Sequence, residues 1–128
     1  VFARHNLLAE ATRRAVRTWG LEILCRDSKY YSPTVTGVLL PEGHNADAFR
    51  NLALERFNIS YGTSFGPFVG RYFRIGHLGD TNELMLMGAL AATEMTLALA
   101  GIPHKKGGVQ AAMDYIVSAE KPARAAAE

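Results

Sequence analysis

Residues 73–80 read Phe73-Arg74-Ile75-Gly76-His77-Leu78-Gly79-Asp80, and Arg74 is the side chain in the chain best suited to chemistry. Strand alternation puts Phe73 and Ile75 on one face of a sheet and Tyr72 and Arg74 on the other. Two apolar residues then anchor the strand while one guanidinium points away from the core. Gly76 and Gly79 mark the strand exit and a tight turn. Asp80 is expected to cap the long apolar helix that follows, with Glu83 completing a capping box. An arginine held between a strand and a helix N-terminus suits a planar carboxylate, which it grips through two parallel charge-assisted hydrogen bonds. The plain alternative is a surface arginine in a salt bridge.

Other chemistries find less support. Lys29, Lys105, Lys106 and Lys121 lie in loops or beside Gly and Pro, away from an apolar pocket that would depress a lysine pKa. His5, His44, His77, His104 and Cys25 show no metal-site spacing such as CxxC or HExxH. Alternation puts His77 on the Phe73 side, as a structural histidine. No serine stands in a Gly-x-Ser-x-Gly elbow. The glycine-rich stretch Gly62 to Gly70 lacks the lysine and Ser/Thr of a P-loop, so it reads as a flexible hairpin leading to the Arg74 strand. Tyr30 and Tyr31 read as packing or interface residues, with ligand contact as the rival role.

The run Phe73 to Gly79 resembles the Arg-Ile-Gly-His-(Met/Leu)-Gly signature of class V aminotransferases, the pyridoxal-phosphate enzymes of the serine–glyoxylate, alanine–glyoxylate and serine–pyruvate group. The likeness continues through Asp80-Thr81-Asn82-Glu83-Leu84 and Gly88-Ala89-Leu90 to Gly107-Gly108-Val109-Gln110-Ala111-Ala112-Met113. It covers nearly the whole chain but only that family's C-terminal small domain. It implies that Arg74 holds the substrate α-carboxylate. It also implies that the Schiff-base lysine and the pyridine partner lie in a large domain absent here, and that the intact enzyme is a homodimer. Where that family often has a basic residue before the last glycine of its glycine-rich segment, this chain has Phe68-Val69-Gly70-Arg71.

The elements that must position Arg74 follow from periodicity. The 128 residues, 48% apolar and 20% charged with a net charge of +2, fit one soluble globular domain, and that charge gives no case for nucleic acid. Phe2 to Trp19 reads as a helix with Leu8, Ala11, Ala15 and Trp19 as its apolar stripe and Arg13, Arg14 and Arg17 on a solvated face. Strands are expected over 21–25, 34–40 and 57–61 besides the Arg74 strand, with a helix from Asn45 to Phe57. The helix from Thr81 to Ala100, with Leu84, Met87, Ala91, Met95 and Leu99, is apolar on most sides and is expected to be buried between layers, its methionines serving as core filler. Glu94 near its middle argues against a membrane span. A final helix from Val109 should stop at Pro122, with Ala123 to Glu128 frayed.

The expected fold is α+β, a two-layer sandwich of a small, mainly antiparallel sheet with helices on one face. Residues 1–121 form the domain and 122–128 a tail. A chain opening at Val1 directly into a helix is expected to be a piece of a longer polypeptide. One cysteine permits no intrachain disulfide and fits a reducing cytoplasm. The expected function is the carboxylate-binding part of an aminotransferase moving an amino group from serine or alanine to glyoxylate or pyruvate. The rival is a free-standing module that binds a small acid or a protein.

Overall fold

The computed structural model describes residues 2–25, 35–76 and 82–127. Helix α1 (Phe2–Trp19) is followed by strands β1 (Glu22–Ile23) and β2 (Val35–Leu39), helix α2 (Ala46–Phe57), strand β3 (Tyr72–Gly76) and helices α3 (Glu83–Leu99) and α4 (Gly108–Ala127). The sheet is antiparallel in the order β1-β2-β3, with Gly37 opposite Arg74 and Val38 opposite Phe73. This is the expected α+β arrangement of a small antiparallel sheet with helices.

The expected stripe of α1 is the buried one: Leu8, Ala11 and Ala15 are fully covered and Trp19 nearly so. Gly20 ends the helix with φ +82°, its N–H reaching Arg17 O at 3.0 Å while Leu21 N–H reaches Val16 O at 3.2 Å. That is the Schellman pattern, and only glycine takes the left-handed position without steric cost. The three arginines do not form a simple solvated face. Glu10 draws them together, accepting from Arg14 Nε at 2.9 Å, Arg13 Nε at 3.1 Å and Arg17 Nη1 at 3.4 Å, and Arg14 also lies 4.3 Å over the Tyr115 ring.

Thr36, Val38, Leu40, Phe73 and Ile75 turn to the helical layer. Their centre is aromatic: Phe73 stacks on Phe49 with centroids 4.6 Å apart and meets Tyr61 at 4.9 Å. Asn45 caps α2 as expected, accepting from Ala48 N.

Other expectations change as well. The strand over 57–61 does not form, because Asn58 adopts a left-handed φ of 56° and closes α2 by donating to Leu54 O; an αL residue interrupts an extended run. A single bridge at Gly62 replaces that strand, and the stretch to Gly70 carries a 3₁₀ turn at Gly66–Phe68. The cap of α3 is Asn82, whose side chain accepts from Met85 N at 2.8 Å, with Glu83 in the first turn; the expected cap Asp80 lies outside the described residues. Helix α4 continues past Pro122 to Ala127; a proline inside a helix removes one i→i−4 bond, and here the turns on either side carry on across the gap.

Helix α3 is also not buried all round. Leu86, Leu90, Thr93 and Leu97 face inward, while Leu84 is 81% exposed and Met85, Met95 and Leu99 about half exposed. The buried threonines donate to the carbonyls one turn back, Thr93 to Ala89 O and Thr96 to Ala92 O, both at 2.7 Å, so no hydroxyl is stranded. The helix packs on α1, α2 and α4, which leaves its other face open.

Candidate functional site: an arginine set between two glycines

Arg74 sits at the middle of β3. Its backbone N–H and C=O both pair with Gly62, at 3.1 and 2.9 Å. It therefore faces Gly37 on β2 as a non-hydrogen-bonded pair, the arrangement that brings cross-strand side chains closest. Both cross-strand neighbours thus lack a side chain. Leu24 fills the space at Gly37, where an added Cβ would come within 3.0 Å of Leu24 Cβ. The Arg74 side chain fills the space at Gly62, where an added Cβ would lie 2.9 Å from Nε and 3.1 Å from Cζ.

Among the described residues the guanidinium is held on one side only. Nε donates to Thr63 O at 2.8 Å, and Cζ lies 5.2 Å from the Phe65 ring centroid, within cation–π range. Phe65 is braced by Tyr72, whose hydroxyl accepts from Phe65 N at 3.2 Å and whose ring meets it edge-on at 6.4 Å. This also accounts for Tyr72, which shares the Arg74 face yet is 97% covered, at 3% exposure. Among the described residues no carboxylate pairs with Arg74 and its terminal nitrogens donate no hydrogen bond. Their fork remains available for two parallel bonds to one acid group.

Among the described residues, the others singled out in the sequence do not gather here. Tyr30, Tyr31, Lys29 and His77 lie outside the described residues. Lys105 and Lys106 are exposed on the connection between α3 and α4. His104 Nδ1 is 2.7 Å from Ile102 O, a local contact. Arg71, the basic residue after Gly70, lines a different cleft with Glu22 and Glu42. Among the described residues no group of three His, Cys, Asp or Glu side chains could hold a metal, and no helix is long and apolar enough to cross a membrane.

A second charged site escapes sequence reasoning. Glu94 accepts from Trp19 Nε1 at 2.7 Å and from the backbone N–H groups of Gly108, Val109 and Gly107 at 3.0, 3.3 and 3.4 Å. A glutamate of α3 thereby caps α4 and pins it to α1. Burial pushes its carboxyl up, but the Trp19 bond and those backbone donors outweigh this and hold it below the ordinary value. The glycine pair at 107–108 follows from the same packing. Gly107 has φ +104°, and any Cβ on Gly108 would run into the Trp19 indole.

The sheet and helices define the chain as a small domain of the aminotransferase kind. The solved pyridoxamine–pyruvate aminotransferase of Mesorhizobium loti superposes on it with a TM-score of 0.84 at 33% identity, over 91% of this chain and 30% of that one. No family model matches the chain. Its relatives include the serine–glyoxylate aminotransferases of Hyphomicrobium methylovorum, 45% identical over 116 residues, and Methylorubrum extorquens, 44% identical over 117. Those matches take in 90% and 91% of this chain and 29% of each relative, so the chain spans under a third of their length. It is similar to one part of the glyoxylate and pyruvate aminotransferases, their small domain.

Proposed function

We propose that this chain is the C-terminal, carboxylate-holding domain, residues 1–121, of a pyridoxal-phosphate aminotransferase that moves an amino group from serine or alanine to glyoxylate or pyruvate. The observation that carries the reading is Arg74, with Nε tied to Thr63 O and its terminal nitrogens unengaged among the described residues. The relatives' names share one chemical feature that such a fork recognises. Glyoxylate and pyruvate are both 2-oxo acids, whereas serine and pyridoxamine, the named donors, differ.

The cofactor supplies the electron sink for amino transfer, through a Schiff-base lysine. The described residues do not make a seat for it, since Lys105 and Lys106 are exposed beyond α3 rather than beside Arg74. The reading therefore assigns the cofactor lysine to a large domain and gives this chain binding and orientation. It takes the intact enzyme to be a homodimer of a reducing cytoplasm, in keeping with a chain whose one cysteine is Cys25.

In the full-length polypeptide that includes this chain, Arg74→Gln breaks a charge-paired contact of about 2–5 kcal/mol. Steady-state kinetics should show KM raised about thirtyfold or more for amino and oxo acid alike. Unchanged KM for both would contradict the reading.

A further inference from the structure

We infer that Gly62 is a positioning residue for substrate carboxylate: the missing side chain at 62 is the berth in which the Arg74 guanidinium lies. This rests on Arg74 being the carboxylate anchor. Glycine at 62 is not explained by backbone conformation, since Gly62 is absent from the residues with positive φ, unlike Gly66 and Gly70 on the same loop. What it provides is space. A Cβ at 62 would meet Arg74 Nε at 2.9 Å, Cβ at 3.0 Å and Cζ at 3.1 Å, tighter than van der Waals contact allows.

The same loop supplies the other constraints in sequence order. Gly62 pairs with the Arg74 backbone, Thr63 O takes Nε, and Phe65 lies beneath Cζ. With Nε tied and one face on the ring, the guanidinium plane is set, and the two terminal nitrogens form the edge left unengaged among the described residues. An arginine so restrained loses less rotamer freedom on binding an acid than one extended into water. A side chain at 62 would press on Nε and Cζ, so the guanidinium would have to shift from its place against Thr63 O, while the strand pairing through the Gly62 backbone needs no side chain. Gly37 differs: its space is taken by Leu24, so a substitution there disturbs packing rather than the arginine.

The test is a coupling experiment in the full-length enzyme with cofactor bound, using Gly62→Ala, Arg74→Gln and the double variant. It reads KM for glyoxylate and for serine, kcat, the dissociation constant of oxalate by calorimetry, and the melting temperature. The expected result is that Gly62→Ala raises both KM values and the oxalate constant about tenfold, leaves kcat and melting nearly unchanged, and has no further effect once Arg74 is Gln. An Arg74→Gln effect with Gly62→Ala equal to wild type would overturn the berth and leave the anchor standing. Equal Gly62→Ala losses with and without Arg74 would reduce Gly62 to a packing role and overturn it too. An Arg74→Gln variant indistinguishable from wild type would remove the anchor and the berth together. If Gly62→Ala does not accumulate folded, Phe65→Leu at the 63% exposed ring position carries the same coupling criterion: a KM increase present with Arg74 and absent without it supports the berth, and no increase overturns it.

Discussion

Arg74 and Glu94 are both partly withdrawn from water and both lie against glycine, yet the surrounding structure treats the two charges in opposite ways. Among the described residues Glu94 accepts from four donors of the domain itself, an indole and three backbone N–H groups. Gly108 is small there so that α4 can start against Trp19. Around Arg74 the glycine at 62 makes room for the charge itself, and one bond plus one ring orient it, with its terminal nitrogens unengaged among the described residues. A charge satisfied from within holds a fold together, whereas one oriented but left unsatisfied is prepared for a partner from outside. What separates the two among the described residues is how many donors and acceptors are left over.

The contrast predicts a graded series in unfolding experiments. Gly108→Ala should be the most damaging, since its methyl group collides with the Trp19 ring; overpacking of this kind costs about 1–3 kcal/mol. A melting temperature equal to wild type would show that the indole can move aside and that the Glu94 knot is looser than described.

Glu94→Gln comes next. It exchanges charge-assisted bonds for neutral ones, a loss of about 1–2 kcal/mol near pH 7. The pH dependence carries a sign. A carboxyl held below its ordinary value of 4.5 contributes stability that is present above that value and lost as pH falls through the lowered folded pKa. The gap between wild type and Glu94→Gln in urea midpoints should therefore be wide at pH 7 and narrow at pH 3. Glu10, also held low because bonds from Arg14 and Arg13 outweigh its burial, is common to both proteins and cancels in the difference. A gap of constant width would mean that the charge of Glu94 is irrelevant to the knot.

Loss of the α3 cap in Asn82→Ala should cost roughly 0.5–1 kcal/mol, visible as a small drop in melting temperature; an equal loss in Asn82→Asp, which keeps an acceptor, would show that the cap is not the cause. Arg74→Gln should affect stability least, within about 0.5 kcal/mol, despite its large expected effect on KM. A drop comparable to that of Gly108→Ala would place Arg74 among the structural charges and erase the distinction.

Much of this was legible from the residues in order. The α1 stripe of Leu8, Ala11, Ala15 and Trp19, the Asn45 cap, the Gly20 stop and the opposite facing of Phe73 and Arg74 are consequences of helical and strand periods and of which side chains can reach a nearby N–H. Such interactions span a few residues, so a linear pattern suffices to specify them. The pattern puts the α3 cap at Asp80, whereas Asn82, two residues on, is the side chain that accepts from Met85 N.

What depended on the folded chain was every relation across long separations. That Gly62 vacates space for Arg74, that Glu94 caps a helix starting fourteen residues later while gripping Trp19 seventy-five residues earlier, and which face of the nearly uniform α3 is covered all turn on which surfaces meet. Composition told that α3 was apolar; only packing decided that Leu86 and Leu90 go inward while Leu84 and Met95 stay outside. The physical reason is that a side chain's own sequence neighbours set its direction, but whether that direction ends in a ring, an ion or open water is set by segments brought there by the rest of the chain.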